Sequence, residues 1–200
     1  MSAEQLKQRD AMQRLTDFFN EVGMLRHTPR SGYKFLGSGQ ETVAEHSHRT
    51  AVIGYALAKK TGADAARTVM LCLFHDLPEA RTGDFNYVNR LYDTSRERDA
   101  LEDAVEGTGL EEDIMSIWDE HACRTTPESL LAHDADQLDL ILNLKRESDL
   151  GNRYADKWLE SAVERLRTDI AKELAQTILK TDHTDWWYLG PDRNWWERKS

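Results

Sequence analysis

Residues 63–84, ADAARTVMLCLFHDLPEARTGD, decide how the rest of the chain is read. Val69 to Phe74 is an unbroken apolar run inside a segment whose residues suit a helix, and a helix hydrophobic nearly all round belongs at the centre of a domain. Pro78 has no amide hydrogen and disfavours the α conformation at Leu77. The helix from Ala63 is therefore expected to stop just after His75 and Asp76, leaving an imidazole and a carboxylate at a buried helix end.

On either side, apolar residues recur at three- and four-residue spacings, without internal repeats and with only four prolines, which predicts an all-α fold of about six or more helices. Leu6, Leu15, Phe18, Phe19 and Val22 form the stripe of a first helix that Gly23 is placed to end. His27 to Gln40 carries Pro29, Gly32, Gly37 and Gly39 and reads as a loop, a place where functional side chains concentrate. A second helix is expected from Thr42 to Thr61 with Gly62 as its stop. Further on, Thr94 or Ser95 can cap a helix reaching Gly107, and Leu110 to Ala122 makes another. Thr126-Pro127-Glu128 starts a strong helix, and a last long one is expected from Asp156 to Lys180. Residues 1–180 are read as one domain and 181–200 as a tail rich in tryptophan. Trp186, Trp187, Trp195 and Trp196 are expected to pack on the domain or on a second copy, in a homodimer.

Composition removes several classes of function. The 200 residues carry 26 Lys plus Arg against 36 Asp plus Glu, a net charge of −10, with no basic run to neutralise the phosphates of a large nucleic acid. No apolar stretch approaches the roughly 18 residues that span a bilayer. The polar start, Met1 to Asp10, and the two cysteines, Cys72 and Cys123, suggest a cytoplasmic address.

Four side chains stand out as chemistry: His46, His75, Asp76 and Asp136, drawn from three predicted helices and flanked by apolar residues. Burying such groups unpaired costs several kcal/mol, and a shared cation would offset that cost. Mixed nitrogen and oxygen donors suit one divalent transition metal among Mn, Fe, Co, Ni and Zn. The bland reading makes His75 and Asp76 a helix cap, His46 a hydrogen-bonded core residue and Asp136 the partner of an arginine. His46 and His48 lie about 200° apart on a helix and cannot share an ion, and the same separation divides Asp134 from Asp136. His46 is taken as the ligand and His48 as solvated; Asp136 serves if the side of Leu138, Ile141 and Leu142 faces inward. Asp139 is a candidate to support a ligand, while His121 and His133 are read as structural or solvated and Cys72 as a small core residue.

Glu45-His46-Ser47-His48-Arg49, then Phe74-His75-Asp76-Leu77-Pro78-Glu79, Thr82-Gly83-Asp84 and Ala135-Asp136, together resemble the HD superfamily of metal-dependent phosphohydrolases, most closely its 5′-deoxynucleotidases. The resemblance covers Met24 to Ile141. It implies that His46, His75, Asp76 and Asp136 hold one divalent metal and that Glu79 is the acid/base or water-positioning carboxylate. It further implies that Arg30 holds phosphate, Tyr33 faces the nucleoside and Asp84 lies near the sugar. In the family an aromatic residue directly follows the arginine, whereas Ser31 and Gly32 intervene here. The implied reaction converts a deoxynucleoside monophosphate, a small-molecule substrate, to deoxynucleoside and phosphate. A phosphate monoester dianion repels hydroxide, and a metal, an arginine and a carboxylic acid answer that with charge neutralisation, an activated water and a proton for the departing oxygen. The alternatives are an HD phosphohydrolase for another substrate (cyclic nucleotide, nucleoside triphosphate or small metabolite) and a non-catalytic ligand-binding module.

Overall fold

A computed structural model describes residues 10–188, and its regular elements there are helical, apart from one isolated bridge between Pro29 and Thr42. Helix α1, Ala11–Val22, is capped by Asp10, whose carboxylate accepts from Gln13 N–H at 2.8 Å. Gly23 is the C-cap of this α-helix, as the sequence implies. The chain tightens there into a 3-10 turn, Gly23–His27, because Gly23 keeps right-handed helical angles and the turn buries Leu25. Phe18 is buried but Phe19 is 63% exposed, so the apolar stripe is narrower than the sequence suggests. Leu6 lies outside the described residues.

Helix α2, Val43–Thr61, opens with a reciprocal cap between Thr42 and Glu45 and closes at Gly62, whose φ of 82° is a left-handed angle that glycine adopts without steric cost. Its buried residues, Val43, His46, Ser47, Thr50, Ala51, Gly54, Leu57 and Ala58, follow the helical period, so His46 is carried inward by the same pattern that makes the core. Helix α3, Ala65–Phe74, is capped by Asp64 and buries Thr68, Leu71 and Cys72. Met70 and Leu73 remain 37% and 38% exposed, which corrects the expectation of burial all round: α3 packs on α2 and on the later helices at 111–123 and 127–149, yet leaves these two side chains partly at the surface. The close approach of α2 to α3 depends on Gly54, where a Cβ would stand 2.6 Å from Cys72 Sγ.

After short helices α4, Glu79–Thr82, and α5, Asn89–Tyr92, come α6, Glu97–Val105, and α7, Glu111–Cys123. Helix α6 has Arg96 before it and no side-chain cap, so neither Thr94 nor Ser95 plays that part. Helix α8, Pro127–Asp149, starts at Thr126 with proline in its first turn, as the sequence implies. It runs through the core, burying Leu131, Ala132, Ala135, Leu138, Ile141 and Leu144.

The expected long helix from Asp156 to Lys180 is two, α9, Tyr154–Glu164, and α10, Asp169–Lys180. The break has a cause in α8. Buried Asp134 accepts from Arg167 N–H at 2.9 Å, Thr168 N–H at 2.7 Å and the Thr168 hydroxyl at 2.6 Å, capturing amides that a continuous helix would use itself. Thr168 then caps α10. A short helix α11, Asp185–Tyr188, follows, with Trp186 83% exposed; Trp195 and Trp196 lie outside the described residues.

Two apolar clusters result. One gathers Leu57, Leu71, Leu131, Leu138, Ile141 and Leu144; the other gathers Phe18, Leu25, Val43, Leu77, Leu101 and Ile114. Phe74 touches both, and the chain turns at His75 and Asp76 where they meet.

Candidate metal centre

The packing of α2, α3 and α8 brings the four ligands inferred from sequence together. His46 comes from α2, His75 and Asp76 from the turn after α3, and Asp136 from α8. His46 Nε2 lies 3.2 Å from Asp136 Oδ1 and 3.6 Å from Asp76 Oδ2, and His75 Nε2 lies 3.2 Å from Asp76 Oδ2. One donor atom each from His46, His75 and Asp136 falls within 4.8 Å of the others.

The other ring nitrogens explain the aim. His46 Nδ1 stands 2.7 Å from Asp139 Oδ2, and His75 Nδ1 2.8 Å from the Cys72 carbonyl. An Nδ1–H donated in each place leaves Nε2 with a lone pair, the arrangement a metal-binding histidine requires. Both Nε2 atoms are buried without a hydrogen-bond partner. Two orphaned imidazole nitrogens facing two carboxylates fit a divalent transition metal by donor type, number and spacing. Asp139 thus supports His46, as its position one turn after Asp136 suggested. Arg49 and Glu41 extend the support: Arg49 donates through Nε to Asp139 and through Nη2 to Glu41 at 3.1 Å. Glu41 was not singled out in the sequence.

The charge pattern also asks for a cation. Burial and nearby Arg30 would lower the His46 pKa, yet the carboxylates of Asp136 and Asp139 outweigh both and push it up to about 10. Against burial, His75, Arg30 and His46 hold Asp76 well below the usual carboxylate range. Asp136 is likewise held down against burial, first by His46.

The loop after α1 delivers Arg30 to this cluster. Its Nη1 donates to Asp76 Oδ2 at 3.3 Å and lies 3.7 Å from Asp84 Oδ1, and its Nη2 lies 3.8 Å from Asp136 Oδ1. Backbone pairing of Arg30 N–H with Glu41 O and of Val43 N–H with Thr28 O fixes where the loop enters. Asp84 is anchored by Ser31 N–H at 2.5 Å. Tyr33 stands on the cavity wall with its hydroxyl 3.5 Å from Glu41 Oε2. Glu79, in the first turn of α4, is buried, and its Oε2 has no partner. Burial first, then Asp76 and Asp84, push its pKa up to about 10. Arg30, Tyr33, Asp76, Glu79, Asp84 and Asp136 line a cavity of about 560 Å³.

His48 is exposed, as the sequence suggested; His133 is buried, pairs with Asp134 at 3.1 Å and lines the same cavity. His121 is partly buried rather than solvated. It lines the cavity with its ring centroid 4.9 Å from that of His75, and its Nε2 is buried without a partner. Burial, then the charge on His75, lower its pKa to about 3. The signal was present: Ile114, Ile117, Trp118 and His121 share one face of α7, and Trp118 Nε1 donates to the His75 carbonyl at 3.2 Å.

A family model described as "HD domain" matches residues 22–178. The 5′-deoxynucleotidase HDDC2 of Danio rerio is 27% identical over 145 residues, a match covering 70% of this chain and 72% of the relative. That of Dictyostelium discoideum is 30% identical over 146 residues, covering 66% and 76%. Among solved structures, a conserved hypothetical protein from Pyrococcus furiosus matches with a TM-score of 0.70 at 25% identity, covering 83% of this chain and 99% of its own.

Proposed function

The chain belongs to the HD domain family, and we propose that it is a metal-dependent 5′-deoxynucleotidase. The observation that carries the reading is the pair of buried, partnerless Nε2 atoms on His46 and His75, set against Asp76 and Asp136 with Arg30 alongside. Relatives named as 5′-deoxynucleotidases support the choice of substrate.

His46, His75, Asp76 and Asp136 would hold one ion of Co, Mn, Zn, Fe or Ni. Such an ion supplies Lewis acidity toward a phosphate and lowers the pKa of water there from about 15.7 toward about 7. Arg30 binds phosphate oxygens through its paired N–H groups, adding charge stabilisation. Glu79 carries a proton at neutral pH in its buried setting and delivers it to the departing sugar oxygen. Asp84, held by Ser31 and Arg30, accepts from the 3′-hydroxyl and crowds a 2′-hydroxyl. Tyr33 closes the cavity beside the nucleoside.

Phosphate release from matched deoxyribonucleoside and ribonucleoside 5′-monophosphates, in protein loaded with each metal in turn, tests the reading. Faster release from the deoxy substrates is expected. Equal rates would leave a phosphomonoesterase without sugar selectivity, and absence of turnover with every metal would refute the activity. The spaced Arg30-Ser31-Gly32-Tyr33 loop favours, as a second reading, another phosphorylated small molecule, which the same assay with a wider panel separates.

A homodimer and a cytoplasmic address go with the proposal, as does a tryptophan-rich tail covering the domain or a partner. Sedimentation with and without residues 181–200 tests the dimer and the role of the tail. Among the described residues no helix is long and apolar enough to cross a membrane.

A further inference from the structure

The cavity is chemically divided along α8. Asp136 stands at the metal centre, while Leu140 and Leu144, one and two turns further on, line the same cavity about 6 and 12 Å along the helix axis. Around them the wall is apolar: Leu36 and Leu144 are buried, and Trp158 of α9 packs half-buried against the core. The far edge of the Trp158 indole abuts the Arg30 loop, where a Cβ on Gly32 would meet it at 3.4 Å. At the rim, Tyr87 meets Trp158 edge-on with ring centroids 6.3 Å apart, and the Arg165 guanidinium lies over Tyr87 at 4.8 Å. Arg165 also donates to the Tyr87 hydroxyl and, at 3.4 Å, to Gln137 Oε1, while Gln137 Nε2 donates to Asp136 Oδ2 at 2.8 Å. The other aromatic and basic groups of the lining are charged or committed: Arg90, Glu97 and Arg124 carry charge, His121 stacks near His75, and the Trp118 N–H is already given to the His75 carbonyl.

We infer that Trp158 is the stacking platform for the nucleobase of the substrate, in the recess beyond Leu140, with the Arg165–Gln137 pair at its polar rim. This rests on the nucleotidase reading and deepens it. A phosphate beside Arg30 and Asp136 leaves the next turn of α8 for the sugar and base. A flat apolar ring with polar edges is satisfied by an apolar recess that carries one aromatic wall and donors at its mouth. The chain separates Arg30 from Tyr33 by two residues and places an indole from a distant helix against that gap.

The test compares deoxyadenosine 5′-monophosphate with 2-deoxyribose 5-phosphate, which lacks the base, in the wild type, Trp158→Ala and Trp158→Phe, alongside equilibrium dialysis of deoxyadenosine. In Trp158→Ala the ratio of kcat/KM for the nucleotide to that for the base-free ester should fall about tenfold or more, mostly through KM, with Trp158→Phe recovering much of it. Should the alanine variant fail to fold, Trp158→Leu keeps bulk while removing the aromatic face and is read the same way. An unaltered ratio overturns the inference while leaving the nucleotidase intact. If neither the wild type nor any variant releases phosphate, the activity fails, and deoxyadenosine binding then decides: a tenfold weaker affinity in the variant sustains the base platform, and an equal affinity removes it.

Discussion

His46 Nδ1 and Asp139 Oδ2 lie 2.7 Å apart, and both side chains are shut off from solvent. The contact orients the His46 ring so that Nε2 faces Asp76 and Asp136, and the carboxylate raises the electron density of the donor. Asp139→Asn keeps the shape and removes the charge. Its affinity for the bound metal should fall about 10–100-fold, measured by competition with a chelator of known strength. Unchanged affinity would show that Asp139 serves packing alone.

Metal removal should destabilise the fold as well as stop the reaction. A ligand at 100 times its dissociation constant stabilises by about 2.7 kcal/mol, and the four donors come from segments distant in sequence. A chelator should therefore lower the melting temperature of the wild type. Asp76→Ala should show no such response and should hold no metal by elemental analysis.

Glu79→Gln should reduce kcat by about 10²–10⁴ while leaving KM within a few fold, because the amide matches the acid in size and has no proton to deliver. Burial, with Asp76 and Asp84 behind it, raises the pKa of the acid. The protonated form is therefore present at neutral pH and is lost as pH rises, which gives the wild-type kcat profile an alkaline limb. That limb should be absent from the residual activity of the variant.

Asp134 ties the α9–α10 break to α8, and Asp134→Ala should cost about 3 kcal/mol at neutral pH by orphaning its donors. Against burial, His133 and Thr168 hold the Asp134 pKa below its usual value. A lowered folded-state pKa means that the contribution is full above the unfolded value, about 3.9, and is lost as pH falls toward the folded one. The stability gap between wild type and variant, read by denaturant titration, should be constant near neutrality and close below about pH 4.

Gly54→Ala adds a methyl group whose place is 2.6 Å from Cys72 Sγ. The usual gain in helix propensity from alanine, about 1 kcal/mol, should be overridden by overpacking of about 1–3 kcal/mol, and a melting temperature at or above the wild type would contradict the tight α2–α3 contact.

Local pattern settled a good deal. Val43, Ala51 and Leu57 placed His46 among core residues, although Val52 and Tyr55, which the same helix also offers to the core, are 57% and 52% exposed; Pro78 stopped the helix beside His75 and Asp76, and the buried pair Leu138 and Ile141 agreed with an inward Asp136. These depend on neighbours a few residues away, whose preferences a linear string displays. Other features depended on groups far apart in the chain. Asp134 splits a segment that reads as one helix 33 residues later, Glu41 braces Asp139 through Arg49, and α7 brings His121 onto His75. Trp158 reaches the Arg30 loop only because α9 packs along α8. A sequence states which face of each helix is apolar, but only the packed structure decides which faces meet, because that choice is made by long-range burial and by hydrogen bonds between segments with no local signature.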